Sequence, residues 1–312
     1  MRHQSQHDKF GSGTETIRSV LASGLMAIVV AGVAVSTAWS QSLNWEGQDG
    51  VFITPLAYSV PTGSAPVSLP VVSYHFLDAG PVLGRFHQIS ISMGAFNRLE
   101  FGYTASLHQD GDTAGLSSLW SGRFNIVHGK LNLIRERRSL LPALSVGFVA
   151  RAGVRNVGGV IQGKDTSNQD FYAVATKTFT GIRKLPLVFN AGFKATNASL
   201  LGLAGNAPGF YGRGFGAVAF AFTGPGRSTI LLASEVMQQP RKIEGLPGAV
   251  IPTTLTYAVR IIPSGALPLR GWGVENPKLT IDFGVAQAAG NIMPGVDLQA
   301  RHQFAFGISY GF

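Results

Sequence analysis

The chain has 312 residues, 45% of them apolar and only 13% charged, with 40 glycines and no cysteine. The lack of cysteine excludes a disulfide scaffold, thiolate metal sites and a cysteine nucleophile, and the charge content is about half that of an ordinary soluble domain. The 25 Lys and Arg against 16 Asp and Glu give +9, but the densest basic cluster, Arg135, Arg137 and Arg138, is interrupted by Glu136, so there is no basic stripe to track phosphates and nucleic acid is not an expected partner.

Residues 1–40 read as an export signal. A polar stretch with Arg2, Lys9 and Arg18 precedes an apolar run from Val20 to Trp39, and Ala38 and Ser40 place cleavage before Gln41. Cleavage after Ala38 is the near alternative, and an uncleaved anchor helix is the competing reading of about twenty apolar residues. Removal takes away three basic residues and two acidic ones, Asp8 and Glu15, so +9 becomes +8. No later apolar run reaches the ~18 residues of a membrane helix.

Residues 41–68 form an N-terminal periplasmic or plug segment. Phe52, Ile53, Pro55 and Tyr58 suit a periplasmic cap, an inserted plug or one more strand. Residues 69–312 then alternate with the period of two that marks strands. His87, Ile89, Ile91 and Met93 oppose Gln88, Ser90, Ser92 and Gly94; after a tight turn near Asn97, Leu99, Phe101, Tyr103, Ala105 and Leu107 oppose Glu100, Gly102, Thr104 and Ser106. Farther on, Tyr257, Val259 and Ile261 alternate with Thr256, Ala258 and Arg260, and Leu279, Ile281, Phe283 and Val285 with Thr280, Asp282, Gly284 and Ala286.

Strands are placed near 69–77, 86–96, 98–108, 118–134, 142–154, 170–180, 185–196, 212–222, 227–237, 253–262, 277–287 and 300–312. About ten residues per strand matches a tilted bilayer crossing and exceeds the five or six typical of globular strands. The predicted fold is an all-β, antiparallel, up-and-down transmembrane barrel of twelve strands, or of fourteen if residues 50–60 add one and the long 118–134 segment splits. Long connections at 288–299, 238–252, 197–211, 155–169, 109–117 and 78–85 fall outside and short ones inside. The misfit is the long inner connection 263–276 around Trp272.

If the polar face points inward, the lumen carries Arg98, Arg123, Arg151, Lys177, Lys194, Arg260 and Arg301 against Glu100, Glu235 and Asp282, a net +4. That predicts a pore for small polar or anionic solutes with mild anion preference; ion pairs inside a plugged barrel are the alternative.

Chemical motifs are sparse. His75, His87, His108, His128 and His302 show neither HxxxH nor HExxH spacing; Gly158–Lys164 fits GxxxxGK, but Asp165 replaces the Ser or Thr that would hold magnesium; Gly212, Gly214 and Gly216 lack the GxGxxG spacing. No catalytic residue, metal or cofactor is expected.

The carboxyl end, with Phe304, Phe306, Ile308, Tyr310 and terminal Phe312 alternating with Ala305, Gly307, Ser309 and Gly311, resembles the final strand of bacterial outer-membrane barrels. That resemblance implies recognition by the barrel-assembly machinery, a place in the bacterial outer membrane and outer-membrane lipid as surroundings. The stretch Leu43–Gln48 followed by Gly50–Tyr58, with Val72–Phe76 and the Phe101–Tyr103 hairpin, resembles the proteobacterial "domain of unknown function 3034" family, which has no assigned activity. The Thr54–Pro55 segment followed by the Leu99–Gly102 hairpin is more remotely similar to barrels associated with exopolysaccharide export. Two functions follow as expectations: an outer-membrane channel, or a non-enzymatic envelope or exopolysaccharide-export accessory whose partner is a glycan.

Overall fold

The structure, a computed structural model, describes residues 42–113, 123–137, 140–153, 157–163, 165–180, 186–263 and 278–312. The predicted signal segment, the start of the predicted 118–134 strand and the connection around Trp272 lie outside them.

Twelve antiparallel strands close into a barrel. They are β1 (Val71–Asp78), β2 (Arg85–Ala95), β3 (Leu99–Gln109), β4 (Phe124–Ile134), β5 (Ala143–Gly153), β6 (Ser167–Phe179), β7 (Leu187–Ser199), β8 (Gly205–Thr223), β9 (Thr229–Met237), β10 (Thr254–Ile262), β11 (Lys278–Gln287) and β14 (Gln303–Gly311). Each pairs with its neighbour in sequence, β11 with β14, and β14 closes the ring on β1 from Val71↔Gly311 to Leu77↔Ala305. Closure satisfies every ladder donor and acceptor without leaving an edge.

The predicted parity is the observed one. Ile89, Phe101, Tyr103, Tyr257, Phe283 and Phe304 are exposed on the outside, whereas Gln88, Ser90, Ser92, Thr104, Ser106, Thr256 and Thr280 are buried inside. The β2–β3 turn has left-handed backbone at both Phe96 (φ 54°) and Asn97 (φ 51°), the combination that matches the twist of a tight hairpin. Asn97 suits it and Phe96 does not, and Phe96 leaves its ring exposed.

The connections at the mouth away from Val71 and Gly311, here the far mouth, are more structured than the sequence indicates. Residues 78–85 hold helix α1 (Gly80–Leu83), 155–169 hold helix α2 (Val157–Gln162), and 288–299 hold a separate hairpin of β12 (Ala289–Met293) and β13 (Val296–Ala300). The predicted loop 197–211 shrinks to residues 200–204, because β7 and β8 continue pairing through Ala198↔Asn206 and Ser199↔Gly205 after a register shift. The sequence from Gly205 to Gly212 is too rich in Gly and Pro to alternate, so its strand character is invisible to a period of two.

Candidate functional site

Residues 42–60 lie inside the barrel. They enter at the mouth bearing the strand termini, the near mouth, where Ser42 Oγ meets Thr280 Oγ1 at 3.0 Å and the Leu43 N–H donates to Ser309 Oγ at 3.4 Å. They leave by the same mouth, where the Thr62 N–H donates to Asn97 Oδ1 in the β2–β3 turn at 2.7 Å.

The wall holds this insert chiefly by its backbone. The Glu235 carboxylate accepts from the N–H groups of Phe52 (3.1 Å), Ile53 (3.0 Å) and Thr54 (2.9 Å) and from the Thr54 hydroxyl (2.7 Å). The Arg260 guanidinium, paired with Asp282, donates to the carbonyls of Gly50 and Val51, both at 2.9 Å. Glu100 accepts from the N–H of Asp49 (3.0 Å) and of Val60 (3.1 Å), while its partner Lys130 donates to the Asp49 carbonyl at 3.0 Å. Asn132 and Ser145 donate to the Ala57 carbonyl, both at 2.6 Å, and Asn190 donates to that of Pro55 at 3.0 Å. Tyr58 donates its hydroxyl to Glu136. Gly47 is required where it stands: its φ is +85°, and a Cβ there would come within 3.1 Å of Ser90 Cβ.

One insert carboxylate reaches a wall cation. The Asn44 side chain accepts from the N–H groups of Glu46 (3.0 Å) and Gln48 (2.9 Å), a turn that presents Glu46 to Arg151, whose Nε donates to Glu46 Oε1 at 2.6 Å. Arg151 Nη2 also meets Asp170 Oδ2 at 2.9 Å, and Lys194 Nζ meets the same oxygen at 3.1 Å. Asp49 differs: both its carboxylate oxygens are buried without a hydrogen-bond partner, and burial pushes its pKa well above the ordinary range.

Of the ten residues predicted to line the lumen, Glu100, Arg151, Lys194, Glu235, Arg260 and Asp282 are buried inside. The other four are placed differently. Arg98 lies at the near rim, donating to the carbonyls of Asn132 and Leu133. Arg123 is exposed just before β4, and Arg301 pairs with Asp297 at 2.8 Å outside the far mouth. Lys177 is odd-numbered on β6, whose even residues face inward, and it pairs with Glu136 at 3.0 Å near the rim. Arg98 and Arg301 share the inward parity of β3 and β14 but lie past the strand ends, where alternation no longer holds; Arg123, like Lys177, is odd-numbered beside a strand whose even residues face inward. Parity along β4 and β6 also finds Lys130 and Asp170, which the sequence reading missed. The inner wall then carries four basic and four acidic residues among those described, in place of the predicted +4.

The comparisons with known proteins add only distant likenesses. No family model and no curated protein matches the chain. Among solved structures it is similar to a KdgM porin at 11% identity and a TM-score of 0.44, over 78% of this chain and 99% of that one. The same values hold for a KdgM porin in complex with disordered oligogalacturonate. It is also similar to the transport unit of the autotransporter AIDA-I from Escherichia coli, at 8% identity and a TM-score of 0.31, over 90% of this chain and 97% of that one. The barrel assignment stands on the strand ladder itself.

A second closure lies toward the far mouth. Leu200, Leu201 and Leu203 from the β7–β8 connection, with Leu77 and Leu83, pack over Trp45, Phe52 and Ile53 of the insert. An apolar cavity of about 30 Å³ remains between them; its lining, apolar but for Thr254, offers a water too few partners to hold it. Leu200 (φ 50°) and Leu201 (φ 55°) are left-handed although neither is glycine. Such strain persists only where the surroundings impose it, here through burial of both side chains.

The histidines are dispersed. His75 sets its ring edge-on to Phe52 at 5.6 Å, whereas His87 bonds Tyr74 on the outer face at 2.8 Å. Among the described residues, no three His, Asp or Glu side chains are grouped to hold a metal ion. Lys164 of the GxxxxGK stretch lies outside the described residues, and α2 occupies the positions before it rather than after it. In the terminal strand, Phe304, Phe306, Ile308 and Tyr310 face outward, and Phe312 sets its ring edge-on to Tyr310 at 5.0 Å.

Proposed function

We propose that the chain is an outer-membrane channel for small polar solutes, closed by its own residues 42–60. The observation that carries this reading is how the insert is held: hydroxyls, amides, carboxylates and guanidinia of the wall bind it, and the same groups would be solvated by water if it left. Permanent filling favours apolar contacts, because buried ionic groups repay their desolvation poorly. The course of the chain supports withdrawal, since both ends of the insert emerge at the near mouth and it can leave as a loop without threading. The apolar outer face supports a membrane setting, and the export segment with the aromatic terminal strand supports the bacterial outer membrane, near mouth toward the periplasm.

The leucine layer favours a second reading, a permanently closed, non-enzymatic accessory of envelope or glycan export. Planar-bilayer recording separates the two. Gly47→Val, which disturbs the insert and leaves the wall intact, is recorded alone and together with Leu200→Asp and Leu201→Asp, which hydrate the far closure. The channel reading expects rising conductance across this series. A combined variant that migrates as a folded, heat-modifiable barrel and never conducts establishes the accessory reading instead.

A further inference from the structure

The charged groups of the wall fall into clusters of unequal balance. Glu100 and Lys130 sit opposite each other on β3 and β4, and Arg260 and Asp282 on β10 and β11, each pair self-neutralised within the wall. Arg151, Asp170 and Lys194, from β5, β6 and β7, carry one surplus positive charge. Glu46 of the insert balances it. This cluster lies in the far half of the lumen: Arg151 is two residues from the end of β5 and Asp170 three residues into β6. The β7–β8 connection covers it directly, for a Cβ on Gly202 would come within 2.7 Å of Arg151 Cδ and 2.9 Å of Asn168 Oδ1. The cluster thus lies beneath the far-mouth cover, and Glu46 is the insert group that reaches it. Around the cluster stand neutral hydrogen-bonding groups, Asn168 and Thr196 among them, both buried.

We propose that Arg151, with Asp170 and Lys194, is a carboxylate-binding site that Glu46 fills in the closed barrel, and that a hydroxylated solute bearing a carboxylate opens the channel by replacing Glu46. The proposal rests on the reading of residues 42–60 as the closure of a channel, and it names the ligand class that reading leaves open. The guanidinium fork suits a carboxylate and gives no comparable contact to an uncharged polyol. Ligand and Glu46 compete for one position, so binding and withdrawal of the insert are coupled through differential affinity for the two states. No bond is made or broken.

The probe is gluconate, with sorbitol as its uncharged counterpart, added to the full chain. Trp45 is next to Glu46 and buried beside Phe52, so its emission, in a Trp39→Phe, Trp120→Phe, Trp272→Phe background, reports withdrawal independently of conduction. The expected result is a red shift and more channel openings with gluconate but not with sorbitol, both lost in Arg151→Gln. Glu46→Gln is expected to be open without ligand. Lys194→Gln, whose partner Asp170 retains Arg151, provides a second variant if Arg151→Gln does not fold, and is expected to weaken the response at least several-fold. A gluconate-specific shift in a protein that never conducts supports the site and overturns the channel. A conducting Glu46→Gln protein whose wild type answers gluconate and sorbitol alike overturns the site and leaves the channel reading standing. Neither response overturns both.

Discussion

Arg260 and Asp282 face each other in register across β10 and β11, with Nε to Oδ1 at 2.7 Å and Nη2 to Oδ2 at 3.0 Å. Both are buried, and Arg260 has further donors committed to the insert. Removing one partner leaves an uncompensated buried charge, so Arg260→Ala is expected to cost about 3 to 5 kcal/mol. The double change Arg260→Ala, Asp282→Ala is expected to cost less than Arg260→Ala alone. Urea unfolding followed by heat-modifiable gel mobility measures both; a double variant weaker than the single one would contradict the pairing.

Substitutions on the two faces are expected to fail in different ways. Tyr257→Arg and Phe283→Arg place charge on the outer apolar face and should each destabilise the barrel by about 2 to 4 kcal/mol near the membrane midplane. Thr256 and Thr280 are fully buried against the filled interior, so Thr256→Arg and Thr280→Arg are expected to expel the insert while the barrel stays folded. Proteolysis of residues 42–60 together with heat-modifiability separates the two effects.

Period-two alternation made the strand count, the parity and the buried polar interior legible, because one inward slip in Gln88–Ser90–Ser92 or Thr254–Thr256–Ala258 would reverse every neighbour. The contents of the lumen were not legible. The Glu46–Arg151 pair joins positions 105 residues apart, and the insert has no repeating pattern that could announce its partners. Six of the ten residues expected in the lumen are buried inside the barrel; Arg98 and Arg301 lie beyond strand ends, and Arg123 and Lys177 have the opposite parity.

Asp49 gives the insert a pH dependence. Its pKa is raised by burial in the inserted state, so insertion holds a proton that the free segment has already released. Insertion is therefore favoured at acid pH, weakens as pH rises above the ordinary carboxylate range, and has lost this contribution once pH passes the raised value. Lys130, Glu100 and Arg260 surround Asp49 electrostatically and are common to wild type and variant. Asp49→Asn is expected to flatten the profile and hold the insert more firmly at neutral pH, as read by conductance or protease access across pH. Parallel profiles for the two proteins would contradict it.

On the channel reading, the balanced inner wall predicts weak ion selectivity once residues 42–60 have left it. Reversal potentials in a salt gradient should show anions and cations passing comparably, and Arg151→Glu with Lys194→Glu should shift the pore toward cations, less so at high salt. Strong anion preference in the wild type would place control at the rim, with Arg98 and Arg123.

Deleting Phe312 removes the exposed ring beside Tyr310. The expected outcome is a lower yield of membrane-embedded barrel in cells, measured by fractionation, with Asp165→Ala unaffected. Equal yields would dissociate the terminal aromatic from assembly.

The insert begins where the barrel ends: Leu43 meets Ser309 of the final strand across 266 residues. A nascent barrel lacking β14 lacks the Ser309 acceptor of Leu43 and leaves the wall beside Val71 unpaired. Tucking of residues 42–60 is thus a last folding event, dependent on the contacts most distant in sequence and hence slowest to close. Its completion is a built-in report that every strand has taken its place, and an unfinished wall is left unsealed and distinguishable from a mature one.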